Sequence, residues 1–176
     1  MRSARPPKAP RAPRPDGPVL RPLLFALVWS LVVTGCEIAA LALRGEALSG
    51  RLLGVIAIFA TGSLLGGLTA WPIARLLTFA RRRNRARACF AAMTLSLAVT
   101  TTAITGFLFY LQFAQYYGQW HTDRPSLRML WETIFTSATS SYIFAVAGIR
   151  PLLPVLLPAL LVAALAFARI EPRRSV

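Results

Sequence analysis

Four long apolar stretches separated by arginine-rich stops dictate the solvent in which this chain must fold. Leu23 to Leu43, Leu52 to Ala74, Ala88 to Ala114 and Leu152 to Ala168 each run 17 to 27 residues, and Glu37 is the single charged residue among them. A bilayer core of roughly 30 Å is crossed by about 20 apolar residues at helical rise. Without water, only a helix or a closed barrel satisfies every backbone N–H and C=O. The pattern predicts an all-α polytopic membrane bundle: four transmembrane helices plus one amphipathic or re-entrant segment, with five spans as the open alternative.

The polar remainder is too small for a separate soluble domain. Met1 to Pro22 holds seven prolines and six basic residues. Such a segment cannot bury enough apolar surface to offset its ordering entropy. We read residues 1–22 as a disordered, basic, proline-rich tail, 23–170 as the transmembrane domain and 171–176 as a short basic tail. The net charge is +14 and Lys8 is the only lysine. Basic residues that flank apolar spans set topology. Nucleic-acid binding is not expected, because no folded basic face with interleaved aromatics stands outside the spans. Anionic lipid is the expected partner of the tail and of Arg81 to Arg87. Arginine in place of lysine, with much alanine and leucine, suggests a GC-rich bacterial genome, so the expected location is the bacterial inner membrane.

Topology follows from charge. The tail and the stretch Arg75 to Arg87 must share the cytoplasmic face, which requires two spans between them and leaves Arg44 to Arg51 outside. The third stretch then runs outward and ends in an aromatic rim that includes Phe107, Tyr110, Phe113, Tyr116, Tyr117 and Trp120, as interfaces favour. Met129 to Ile149 is divided from the last apolar stretch by Arg150-Pro151. If both crossed the membrane, Arg169, Arg173 and Arg174 would lie outside against the charge bias. At 100° per residue, Glu132, Thr133, Thr136, Ser137, Thr139 and Ser140 gather on one side of this segment. Trp131, Ile134, Phe135, Ala138 and Tyr142 gather on the other. An amphipathic helix of that kind lies along the interface, dips in as a re-entrant segment, or crosses with its polar stripe toward its neighbours.

Small residues mark where helices approach. Gly62, Gly66 and Ala70 repeat every four residues in the second stretch, a spacing that favours close backbone contact in lipid. The third stretch carries a matching stripe of Ala91, Thr94, Ala98, Thr101 and Thr105. Helix packing is the leading reading of both, with dimerisation and a threonine-lined polar path as alternatives. Threonine hydroxyls also bond back to their own helix, so they do not by themselves signal a pore.

Glu37 is the sharpest candidate for chemistry, because a carboxyl group inside a span is costly to bury and is by default a functional hypothesis. A proton relay, an ion site or a partner for a basic group are its functional readings. A neutral, hydrogen-bonded carboxyl is the structural one. Glu132 is the second candidate, within reach of Arg128 or Arg150. His121 and Asp123 do not make a metal site, and no second ligand cluster exists. Val33-Thr34-Gly35-Cys36 has the outline of a lipoprotein processing box, although the apolar run continues past it. Cys36 and Cys89 fall in opposite halves of the bilayer, so no disulfide is expected between them. There are six acidic residues in all, with no phosphate-cradling glycine loop and no nucleophile elbow. No enzyme and no cofactor are expected. The reading is an accessory or assembly subunit of a membrane complex, bound to another membrane protein or to itself. The alternative is a small homo-oligomeric transporter or channel that uses Glu37 and the threonines.

Overall fold

A computed structural model describes residues 20–45, 49–79, 85–118 and 126–170. The described residues form α1 (Leu20–Leu43), α2 (Gly50–Thr78), α3 (Arg85–Gly118), α4 (Leu127–Ile143) and α5 (Arg150–Ile170). A π-helical segment, Phe144–Ile149, joins the last two. Four helices are long and apolar enough to cross a membrane: Leu20–Leu43, Leu52–Thr78, Arg85–Tyr116 and Leu127–Ile170. The chain is an all-α helical bundle, and no strand occurs among the described residues.

Local chemistry sets the helix ends. Gly45, at φ +69°, ends α1, with its N–H donating to Ala42 O and that of Arg44 to Leu41 O. Glycine takes the left-handed conformation there without a Cβ penalty. Ser49 and Ser126 cap α2 and α4 by accepting the N–H groups of Leu52 and Met129, which satisfies donors that a helix start leaves open. Leu20, Arg21 and Pro22, expected in the tail, instead form the first turn of α1. Proline is tolerated there because its missing N–H has no helical acceptor anyway. Residues 1–19, 81–83 and 171–176 lie outside the described residues, and so do the expectations that fall on them.

The separate amphipathic segment takes a different form: α4, the π segment and α5 are one helical run of 44 residues. Arg150-Pro151 does not divide it. Where the π segment meets α5, the Arg150 N–H donates to Ala145 O, five residues back. The wider turn leaves room for the Pro151 ring, which clashes with the carbonyl four residues earlier in a regular α-helix. The faces of α4 are also settled. Trp131, Ile134, Phe135 and Tyr142 are exposed, whereas Ser140 is buried and Glu132, Thr136 and Ser137 are half-buried. The apolar side faces outward and part of the polar stripe faces the bundle, as suits a helix surrounded by lipid.

The helices pack as antiparallel neighbours through small residues. A methyl group on Gly62 would lie 2.7 Å from Thr105 Cα, and one on Gly66 would lie 2.7 Å from Thr101 Cα. At Gly67 it would meet Ala26 Cα of α1 at 3.0 Å. The same helix α2 is thus pressed on one side by α3 and on the other by α1. Hydrogen bonds cross these seams: Ser30 Oγ donates to Ala60 O at 2.8 Å, and Thr100 Oγ1 donates to Gly66 O at 2.8 Å.

Candidate functional site

The polar groups of the interior do not converge on one centre. On α1, the buried stripe is Ala26, Trp29, Val33, Glu37 and Leu41, spaced three and four residues apart on one helix face. Glu37 is therefore turned into the protein, with 5% of its surface exposed. It lies one turn outward of Val33, which helps line a half-open cavity of about 140 Å³.

The cavity is bounded by Trp29 and Val33 of α1, Phe59 of α2, Leu97, Thr101 and Thr105 of α3, and a leucine-rich face of α5. Thr101 Oγ1 accepts a hydrogen bond from Trp29 Nε1 at 3.0 Å. Thr105 Oγ1 is buried and has no hydrogen-bond partner among the described residues. These two threonines also meet Gly66 and Gly62. Candidate packing residues and candidate polar-path residues are thus two sides of a single helix contact. Ala70 continues the glycine stripe and is fully buried in a cluster with Trp71, Met93 and Leu97.

Aromatic rings border the cavity toward the outer end. Phe144 lies 6.2 Å from Phe59 and 5.8 Å from Phe109 between ring centroids. Toward the inner end stand the buried Leu97 and Leu160. Beyond them Trp71 packs edge-on against Phe167 at 4.8 Å and Phe25 at 5.3 Å. Polar atoms therefore occupy one wall of a half-open cavity whose remaining lining is hydrocarbon, including the exposed Leu153 and Leu157.

Thr94 and Glu132 lie elsewhere. Thr94 Oγ1 donates back to Phe90 O at 2.9 Å within α3. Glu132 Oε1 accepts from Arg128 Nε at 2.9 Å, one turn earlier on α4, and not from Arg150. At helical rise, Glu132 is about 18 Å from Phe144 along the helix, well outside the cavity. His121 and Asp123 fall outside the described residues. Among the described residues, no three His, Cys, Asp or Glu side chains come together. Cys36 and Cys89 are both free thiols.

Two features of the site are absent from the sequence reading. Trp29 was legible, because Ala26, Trp29, Val33 and Glu37 share helical spacing. The ring cluster of Phe59, Phe109 and Phe144 joins three helices and has no local signal. No protein-family model, curated protein or solved structure matches the chain.

Proposed function

We propose that this protein is a non-enzymatic subunit of a larger membrane assembly, acting by packing rather than by chemistry. The observation that carries this reading is how the interior polar groups are used. Trp29, Ser30, Thr100 and Thr101 join one helix to another, and the cavity beside them is lined almost wholly by apolar side chains. A permeation path requires a polar lining that continues across the membrane. Arg21, Arg75, Arg85, Arg87 and Arg169 belong to the same end of an up-and-down bundle, and the positive-inside bias supports a cytoplasmic setting for that end. The expected setting is a bacterial inner membrane with the N-terminus inside.

The test is native extraction in mild detergent followed by mass measurement of the tagged complex. A stoichiometric foreign membrane protein is the expected result. Recovery of a monomer alone would overturn the reading. One observation favours the second reading, a homo-oligomeric transporter: Glu37 is buried on the stripe that also lines the cavity. A homo-oligomer whose ion or proton flux in liposomes is lost on Glu37→Gln, with assembly intact, would move the assignment there.

A further inference from the structure

The fourth candidate span, the continuous run of α4, the π segment and α5 (Leu127–Ile170), carries an arginine part-way along its length. Arg150 is exposed, and among the described residues none is paired with its guanidinium. Its depth follows from its neighbours. Phe144 packs on Gly106 of α3, and a methyl group on Gly148 would lie 3.3 Å from Phe59 Cζ of α2. At helical rise Phe59 is about 14 Å inside the outer end of α2, and Arg169 is about 28 Å further along α5 from Arg150.

Helix length sharpens the conflict. The 44-residue run Leu127–Ile170 extends about 66 Å at helical rise, against roughly 30 Å of hydrocarbon. If the hydrocarbon covers Arg150 to Arg169, the exposed Trp131, Phe135 and Tyr142 stand beyond the headgroups. If the bilayer covers those side chains, the guanidinium stands in hydrocarbon. Neither position is satisfied by lipid alone. The backbone repeats the demand: Pro154 and Pro158 offer no N–H to the carbonyls of Arg150 and Pro154, on the same side of the helix.

Resting on the subunit reading above, we infer that the Arg150 face of the fourth span is the docking surface for a transmembrane helix of a different protein, one with a carboxylate at the depth of Arg150. The face comprises Val146, Ala147, Arg150, Leu153 and Leu157, all exposed. Charge selects the occupant. A guanidinium binds a carboxylate through two parallel N–H···O bonds, and such a pair removes the penalty of an isolated charge. A second copy of this chain does not supply that group. Of the acidic residues within the described helices, Glu37 is buried in its own bundle, and Glu132 is bonded to Arg128 about 27 Å outward along the helix. The remaining four, Asp16, Glu46, Asp123 and Glu171, lie outside the described residues.

The experiment places a photo-crosslinking amino acid at Val146, Leu153 or Leu157 in the full chain in its native membrane, leaving Arg150 intact. Control positions are the exposed Leu95 and Val99 of α3. The expected result is one discrete foreign adduct from the fourth-span positions and none from the controls. Its crosslinked peptide should lie in an apolar stretch holding Asp or Glu. Arg150→Gln should lower the adduct yield at least tenfold. Exchanging the charges, Arg150→Glu with the partner's acid changed to arginine, should restore it. A foreign protein that co-purifies but crosslinks only at the controls, or whose yield survives Arg150→Gln, overturns the docking surface and leaves the subunit reading standing. Adducts to lipid alone assign the arginine to headgroups and overturn it as well. Adducts to this same chain overturn it in favour of a homo-oligomer. Absence of any foreign protein from both extraction and crosslinking overturns both readings.

Discussion

Gly66→Ala is the substitution that most directly tests how this bundle is held together. The new methyl would sit 2.7 Å from Thr101 Cα, 2.8 Å from Thr101 Oγ1 and 2.9 Å from Thr101 N. Relaxed carbon–carbon contacts fall at about 3.5 to 4.0 Å, so the α2–α3 seam must open by about 1 Å. Overpacking of this kind costs about 1 to 3 kcal/mol. Opening the seam also strains the Thr100 bond to Gly66 O and the Trp29 bond to Thr101, each worth about 0.6 kcal/mol in a membrane bundle. The helix propensity gained by replacing glycine with alanine, about 0.8 to 1 kcal/mol, offsets part of this. A net loss of about 1 to 3 kcal/mol is expected, or a fall in Tm of roughly 2 to 12 °C for a chain of this size. The assay is thermal unfolding in detergent followed by tryptophan fluorescence. Gly35→Ala is the control, because a methyl there meets nothing within 4 Å; it should leave Tm unchanged or raise it. Two of the three clashing atoms are backbone, so adding Thr101→Ala should not rescue Gly66→Ala. Equal Tm values for Gly66→Ala and wild type would refute the close contact, and rescue by Thr101→Ala would place the clash in the side chain instead.

Other predictions follow the hydrogen bonds. Trp29→Phe keeps most of the buried ring and removes the donor to Thr101 Oγ1, so it should cost about 0.6 to 1.7 kcal/mol. In a double-mutant cycle with Thr101→Val, most of that loss should vanish. Thr105→Val should be neutral or stabilising in the same unfolding assay, because the Oγ1 it removes is buried without a described partner and a methyl of similar shape carries no desolvation penalty. A large loss of stability on Thr105→Val would mean that the hydroxyl has an essential partner.

Much of the architecture was legible because lipid is a severe solvent. Hydrocarbon admits only long uncharged helices, so the four spans and the all-α class followed from apolar runs alone. Gly62, Gly66 and Ala70 announced a close helix contact by their spacing, since a helix brings residues four apart onto one face. The spacing does not name the opposing surface. That Thr101 and Thr105 fill it within the same chain, consuming residues that could equally have lined a path, is decided by the approach of α2 to α3. The faces of α4 carried the same ambiguity: the amphipathic pattern was visible, but which side meets lipid depends on what stands behind Ser140.

By itself the sequence determined the all-α class and the number of candidate spans, because these depend on transfer of local segments from water to hydrocarbon. Tertiary structure alone decided three things: that Arg150-Pro151 lies within a continuous helix, that Phe59, Phe109 and Phe144 meet beside the cavity, and that Glu37 points inward near it. Each depends on the relative rotation and depth of helices distant in the chain, and hydropathy carries no information about either.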